Sequence, residues 1–154
     1  MGRSKAGAVA IALMGGFAAH VLSGSAEAEV LITEQEAMRP AAVPKAEEAS
    51  RGIFRAPRIE VLSPDPAAAV TSPLNLKLKF QSFGGTKIDA DSIKVIYLKN
   101  PAVDLTPRLK RHLNSGGIEM DVAEAPPGEH HLKVEVKDSD GHLGTADVVL
   151  KVTK

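Results

Sequence analysis

Between Leu74 and Phe80 apolar and polar residues alternate without a fault, with Leu74, Leu76, Leu78 and Phe80 on one side and Asn75, Lys77 and Lys79 on the other. Successive side chains of an extended strand point to opposite faces, whereas a helix brings together residues three and four apart. This stretch therefore specifies a strand with one buried and one wet face. The same period returns in Ile118-Glu-Met-Asp-Val122, where Glu119 and Asp121 point outward. It returns again where His130, Leu132, Val134 and Val136 alternate with His131, Lys133, Glu135 and Lys137, and once more in Ala146, Val148, Leu150 and Val152. Arg58 to Leu62 and Ser92 to Leu98 complete a set of six strands. Ser63-Pro-Asp-Pro66, Gly84-Gly85, Pro126-Pro-Gly128 and Asp138-Ser-Asp-Gly141 separate them with residues that favour turns. Short strands spaced in this way predict an all-β antiparallel sandwich over residues 56–154.

The first half of the chain reads differently. Arg3 and Lys5 precede an apolar run from Ala6 to Leu22, and Ala26-Glu27-Ala28 follows with the small-x-small pattern of a cleavage site, so residues 1–28 are expected to be an export signal. Residues 29–55 are rich in Ala, Glu and Pro and are expected to be a leader or tether. Within it, Thr33 and Glu36 have the spacing of a capping box, and Pro40 ends the short helix it starts. Leu31-Ile32 and Ile53-Phe54 are the leader's available apolar anchors. With no cysteine in the chain, disulfides and thiol chemistry are excluded, and the domain must hold together by packing alone. Nineteen basic residues against nineteen acidic ones leave no net charge, which argues against nucleic acid as a partner.

Two stretches carry a family resemblance. Gly85-Thr-Lys-Ile-Asp-Ala-Asp-Ser-Ile-Lys-Val95 resembles the entry into the third strand of bacterial immunoglobulin-like (fibronectin-III-like) domains. Pro127-Gly-Glu-His-His-Leu-Lys-Val-Glu-Val-Lys-Asp-Ser-Asp-Gly141 resembles their last hairpin. The resemblance implies an immunoglobulin-like sandwich across Pro57 to Lys154 and is silent on activity, because such domains serve many functions. It also implies that His130 packs at a corner and bonds nearby backbone. The chain departs from the family between Asn100 and Gly117. There Thr106 as N-cap, Pro107 at the first helical position, Leu109 and Leu113 four apart, and Gly116-Gly117 as the stop predict a short inserted helix at about 106–114. This helix is expected to lie over Ile96 or Leu98, the outward apolar residues of the neighbouring strand.

Few residues of the chain are candidates for chemistry. His130 and His131 point to opposite faces, and His142 lies in a turn at the far end of the same strand, so the three cannot share a metal ion. The acidic pair in Asp138-Ser-Asp-Gly141 is explained by turn formation. Nucleophile elbows, phosphate loops and zinc-protease helices are absent from the sequence. No catalytic, cofactor-binding or metal residue is therefore assigned, and no cofactor is expected. The insertion does carry the one dense basic cluster, Arg108, Lys110, Arg111 and His112. Arg108, Lys110 and Arg111, with Ile96 and Leu98, form the candidate partner patch. The expectation is an exported, non-catalytic binding or structural module of a bacterial envelope, periplasmic or secreted, with another envelope protein as partner and no membrane span once the signal is removed. The alternative is a periplasmic carrier of a small ligand or metal.

Overall fold

The computed structural model describes residues 27–42 and 55–154. The expected signal segment up to residue 26, and residues 43–54 with Ile53-Phe54, lie outside the described residues. In chain order the elements are β1 (Glu29–Val30), α1 (Glu34–Ala37), β2 (Arg58–Ser63), β3 (Ala69–Thr71), β4 (Leu74–Gln81), β5 (Ile88–Tyr97) and β6 (Val103–Asp104). They continue with α2 (Thr106–Leu109), a 3-10 turn (Lys110–His112), β7 (Leu113–Asn114), β8 (Gly117–Glu124), β9 (Gly128–Asp138) and β10 (Leu143–Thr153).

The strands form two sheets, ordered β1-β8-β4-β2, with β7 also paired to β8, and β3-β10-β9-β5-β6. The all-β sandwich expected from the alternation is what the chain forms. Its pairs are antiparallel except at two edges, where β1 runs parallel to β8 and β3 parallel to β10. Leu74, Leu76, Leu78 and Phe80 of β4 are buried, as are Leu132, Val134 and Val136 of β9 and Val148, Leu150 and Val152 of β10. These inner faces meet across the sandwich and form its core. On the wet side Lys77 pairs in register with Glu119, and its ammonium lies 2.6 Å from that carboxylate and 3.5 Å from Asp121.

Two glycines mark where backbone approaches backbone. Gly117 has a φ of 155°, and a Cβ there would overlap the carbonyl oxygen of Leu78 on the adjacent strand. A Cβ on Gly144 would overlap the carbonyl oxygen of Pro57, the residue that leads into β2. Both positions fix how closely β8 and β10 meet their neighbours.

Two expectations need correction. The tether expected from residue 29 onward is part of the fold over Glu29–Ala42. Leu31 and Ile32 are 0% and 2% exposed in the core, the Leu31 and Ile32 amides donate to the Glu124 carbonyl, and Ala41 bridges Lys99. Two large apolar residues suffice because strand pairing and ion pairs add to their burial. The inserted helix is present but shorter, a single α turn continued by the 3-10 turn. Thr106 is its first residue rather than its cap. The Asp104 carboxylate accepts the Thr106 amide, and the Thr106 hydroxyl accepts the Val95 amide at 2.9 Å. Nor does the helix lie over the outer face of β5. Leu105 and Leu109 are both 0% exposed in the inter-sheet core, and Ile96 and Leu98 stay partly exposed.

Candidate functional site

The densest polar constellation among the described residues lies where the N-terminal segment meets the insertion. Capping comes first: the Thr33 hydroxyl accepts the Glu36 amide at 3.3 Å, and the Glu36 carboxylate accepts the Thr33 amide at 3.0 Å, so α1 starts with the predicted reciprocal box. The same carboxylate takes a two-pronged grip from Arg108, at 2.7 Å to Oε1 and 2.8 Å to Oε2. A planar guanidinium matches a carboxylate in this way, and such bonds are among the stronger ones a protein makes. Arg108 also donates to the Leu31 carbonyl at 2.8 Å. The guanidinium, helped by the Thr33 bonds, holds the Glu36 carboxyl down at about 2 against the opposing pull of burial.

A second contact closes the other end of the segment. His112 Nε2 lies 2.9 Å from Glu29 Oε2, and Arg111 stands 3.8 Å from the same atom. The His112 bond is the chief reason the Glu29 carboxyl sits below its ordinary value. Farther along, Lys99 donates to the Ala37 carbonyl at 2.9 Å, and Arg39 donates to the Pro101 carbonyl at 3.4 Å. A peptide is thus clamped at both ends by charge and in the middle by Leu31 and Ile32.

Of the candidate patch, Arg108 is engaged by this peptide, while Lys110 and Arg111 are exposed. Ile96 alternates with buried Val95 and Tyr97 and faces outward from β5, and Leu98, one residue past its end, is likewise only partly buried. They neighbour the Lys133–Glu135 ion pair, in which nitrogen and oxygen are 3.2 Å apart, through the register of Ile96 with Lys133 and of Lys94 with Glu135. The sequence identified the basic side of the clamp and missed its acidic side. The signal was there in Glu29 and Glu36, one at each end of a Leu-Ile pair.

The histidines sit apart, each with its own neighbours. His130, on β9, is 2% exposed. A carbonyl can only accept, so Nε2 carries the proton and donates to the Pro126 carbonyl at 2.8 Å, while Nδ1 accepts the Tyr97 hydroxyl at 2.8 Å. The bond to nearby backbone is the one expected of His130; its buried partner Tyr97 was not foreseen. Burial pulls the His130 ring below its ordinary value and pushes the Tyr97 hydroxyl up to about 12. His131 pairs with Glu129 on the outer face, and His142 pairs with Asp138 in the last hairpin turn. Asp138 is buried and accepts the Asp140 and His142 amides as well. Its burial raises the carboxyl, but the bonds from His142 and Asp140 outweigh that and leave it below the usual range. Among the described residues no three His, Asp or Glu side chains converge as a metal site would need.

No protein-family model matches the chain, and no curated protein matches it.

Beside the clamp runs an open groove of about 610 Å³, lined by Val30, Ile32, Thr33, Glu34, Glu124 and Pro126 among others. A smaller hollow of about 290 Å³ lies on the wet face of the first sheet, between Leu62, Lys77, Lys79 and Glu119. Neither brings together an acid, a base and a nucleophile. What the arrangement does is hold the chain's own N-terminal segment, through main-chain pairing at the β8 edge, burial of two apolar side chains and a cationic contact at each end.

Proposed function

We propose that the protein is an exported, non-catalytic binding or structural module of a bacterial cell envelope, built on an immunoglobulin-like domain, with another envelope protein rather than nucleic acid as its partner. The observation that carries this reading is where the first described strand begins. β1 starts at Glu29, the residue immediately after the Ala26-Glu27-Ala28 cleavage pattern, so removal of residues 1–28 would leave every described element whole. Among the described residues no helix is long and apolar enough to cross a membrane. The groups most able to do chemistry are occupied in holding the structure: Glu36 by Arg108, His130 by Tyr97 and Pro126, Asp138 by His142. Such engagement suits a scaffold that binds through its surface.

Fractionation and N-terminal sequencing test the reading. Expression of the full chain in a Gram-negative host should yield a product in the osmotic-shock fraction that begins at Glu29. A product that keeps Met1 and stays with the cytoplasm overturns it.

A further inference from the structure

Of the carboxylates around the docked segment, Glu29 and Glu36 are held by His112, Arg111 and Arg108. Glu34 and Glu124 are not: among the described residues no cation pairs with either. Both line the open groove of about 610 Å³ beside the clamp, a size common among ligand sites. Ile32, Ala125 and Pro126 give that groove an apolar lining, and Val30 stands 44% exposed at its β1 side. A purely apolar occupant would strip water from the two carboxylates and return nothing, and an anion would be repelled. A Lys or Arg side chain meets both demands, because its stem lies along apolar surface while its head keeps a partner for its charge. The same place offers main chain. β1 is the end strand of its sheet, and the Leu31 amide donates to the Glu124 carbonyl. Successive residues of a strand alternate in the direction of these groups, so the amide and carbonyl of Val30 point away from β8.

We propose that this groove docks an extended basic segment of the partner protein. A Lys or Arg of that segment lays its stem along Ile32, Ala125 and Pro126 and brings its charge to Glu34 and Glu124, while its main chain pairs with Val30 at the open edge. Charge complementarity selects the occupant, since the groove carries two carboxylates that the described fold leaves without a counter-charge. Glu34 is exposed and Glu124 half-buried, so the pairing is of the rim kind, which governs specificity and encounter rate and is screened by salt. The inference rests on the reading of the protein as a binding module and supplies the chemistry of its partner; it does not depend on export.

Two capped pentapeptides, Val-Lys-Val-Lys-Val and Val-Glu-Val-Glu-Val, test the groove when titrated into the full chain labelled with heavy nitrogen. The lysine peptide should shift the amide signals of Val30, Glu34 and Glu124 saturably, with a dissociation constant below about 1 mM, and the glutamate peptide should not. Salt at about 1 M, where the screening length falls to about 3 Å, should weaken the binding severalfold. Glu34→Gln combined with Glu124→Gln should also weaken it severalfold without moving the urea midpoint, since neither carboxylate is in an ion pair of the fold. Glu34→Lys combined with Glu124→Lys should transfer the preference to the glutamate peptide. The proposal is overturned by the absence of a saturable shift, by shifts centred on another face, by equal response to the two peptides, or by a preference that survives the charge reversal. Spermidine binding as tightly as the lysine peptide also overturns it, because the groove would then read charge without main chain. A chain that fails these titrations but is released as a product beginning at Glu29 loses the groove and keeps the envelope reading.

Discussion

Buried hydrogen bonds decide more at single residues than surface charge does. Tyr97 and His130 satisfy each other away from water, so Tyr97→Phe leaves the His130 Nδ1 acceptor alone and should cost about 1–3 kcal/mol in a urea melt. His130 also imposes a pH dependence. Its folded value lies below the ordinary 6.5 because burial disfavours the charged ring. Below 6.5 the unfolded chain therefore binds the proton that the folded chain refuses, and stability falls as pH drops from 6.5 toward the folded value. Urea midpoints measured on either side of pH 6.5 should show that loss in the wild type and a smaller loss in His130→Gln. Gly117 acts through sterics. With the Leu78 carbonyl where a Cβ would go, Gly117→Ala should lower stability by about 1–3 kcal/mol or more by pushing β8 off β4. The family resemblance implied the backbone bond of His130 but not its partner Tyr97, because alternation assigns a face and not a contact 33 residues away.

Among the elements, the docked N-terminal segment is the least predictable from local sequence and the most open to testing. Its helix start was legible, since a capping box is a spacing of four consecutive residues. Its docking was not, since a two-residue strand has no period and the partner of Glu36 lies 72 residues ahead. The same brevity hid β3, β6 and β7, whereas β4, β8 and β9 were readable because five or more residues alternate. Arg108→Ala removes a part-buried charged grip worth about 1–3 kcal/mol. Hydrogen exchange should accordingly speed up roughly 10- to 100-fold at the Leu31 and Ile32 amides, with β9 and β10 unchanged. Acid should do the same by another route. Glu36 titrates at about 2 when docked against an ordinary 4.5, so the grip is complete above 4.5 and weakens as pH falls from there toward 2. Protection of the Leu31 amide across that range should decline in the wild type and stay flat, and low, in Glu36→Gln.

For the whole molecule, the inter-sheet core sets the scale of stability. Leu78→Ala and Leu109→Ala each delete a buried side chain and should cost about 2–5 kcal/mol, while the exposed Lys79→Ala should stay within about 0.5 kcal/mol in the same urea melts. Leu109 belongs in the first group because α2 inserts into the side of the sandwich. The sequence gives the leucine spacing but not this placement, because a two-leucine stripe fits either an outer face or a core equally well. The clamp also has a meaning in time. Glu29 and Glu36 leave a ribosome or a translocation channel ahead of everything else described, yet their partners His112 and Arg108 follow 83 and 72 residues later. What emerges first must wait longest for its seat. Burial of Leu31 and Ile32 therefore reports, beside the first described strand, that synthesis has passed β8, and a chain halted before the insertion leaves those two residues without their seat.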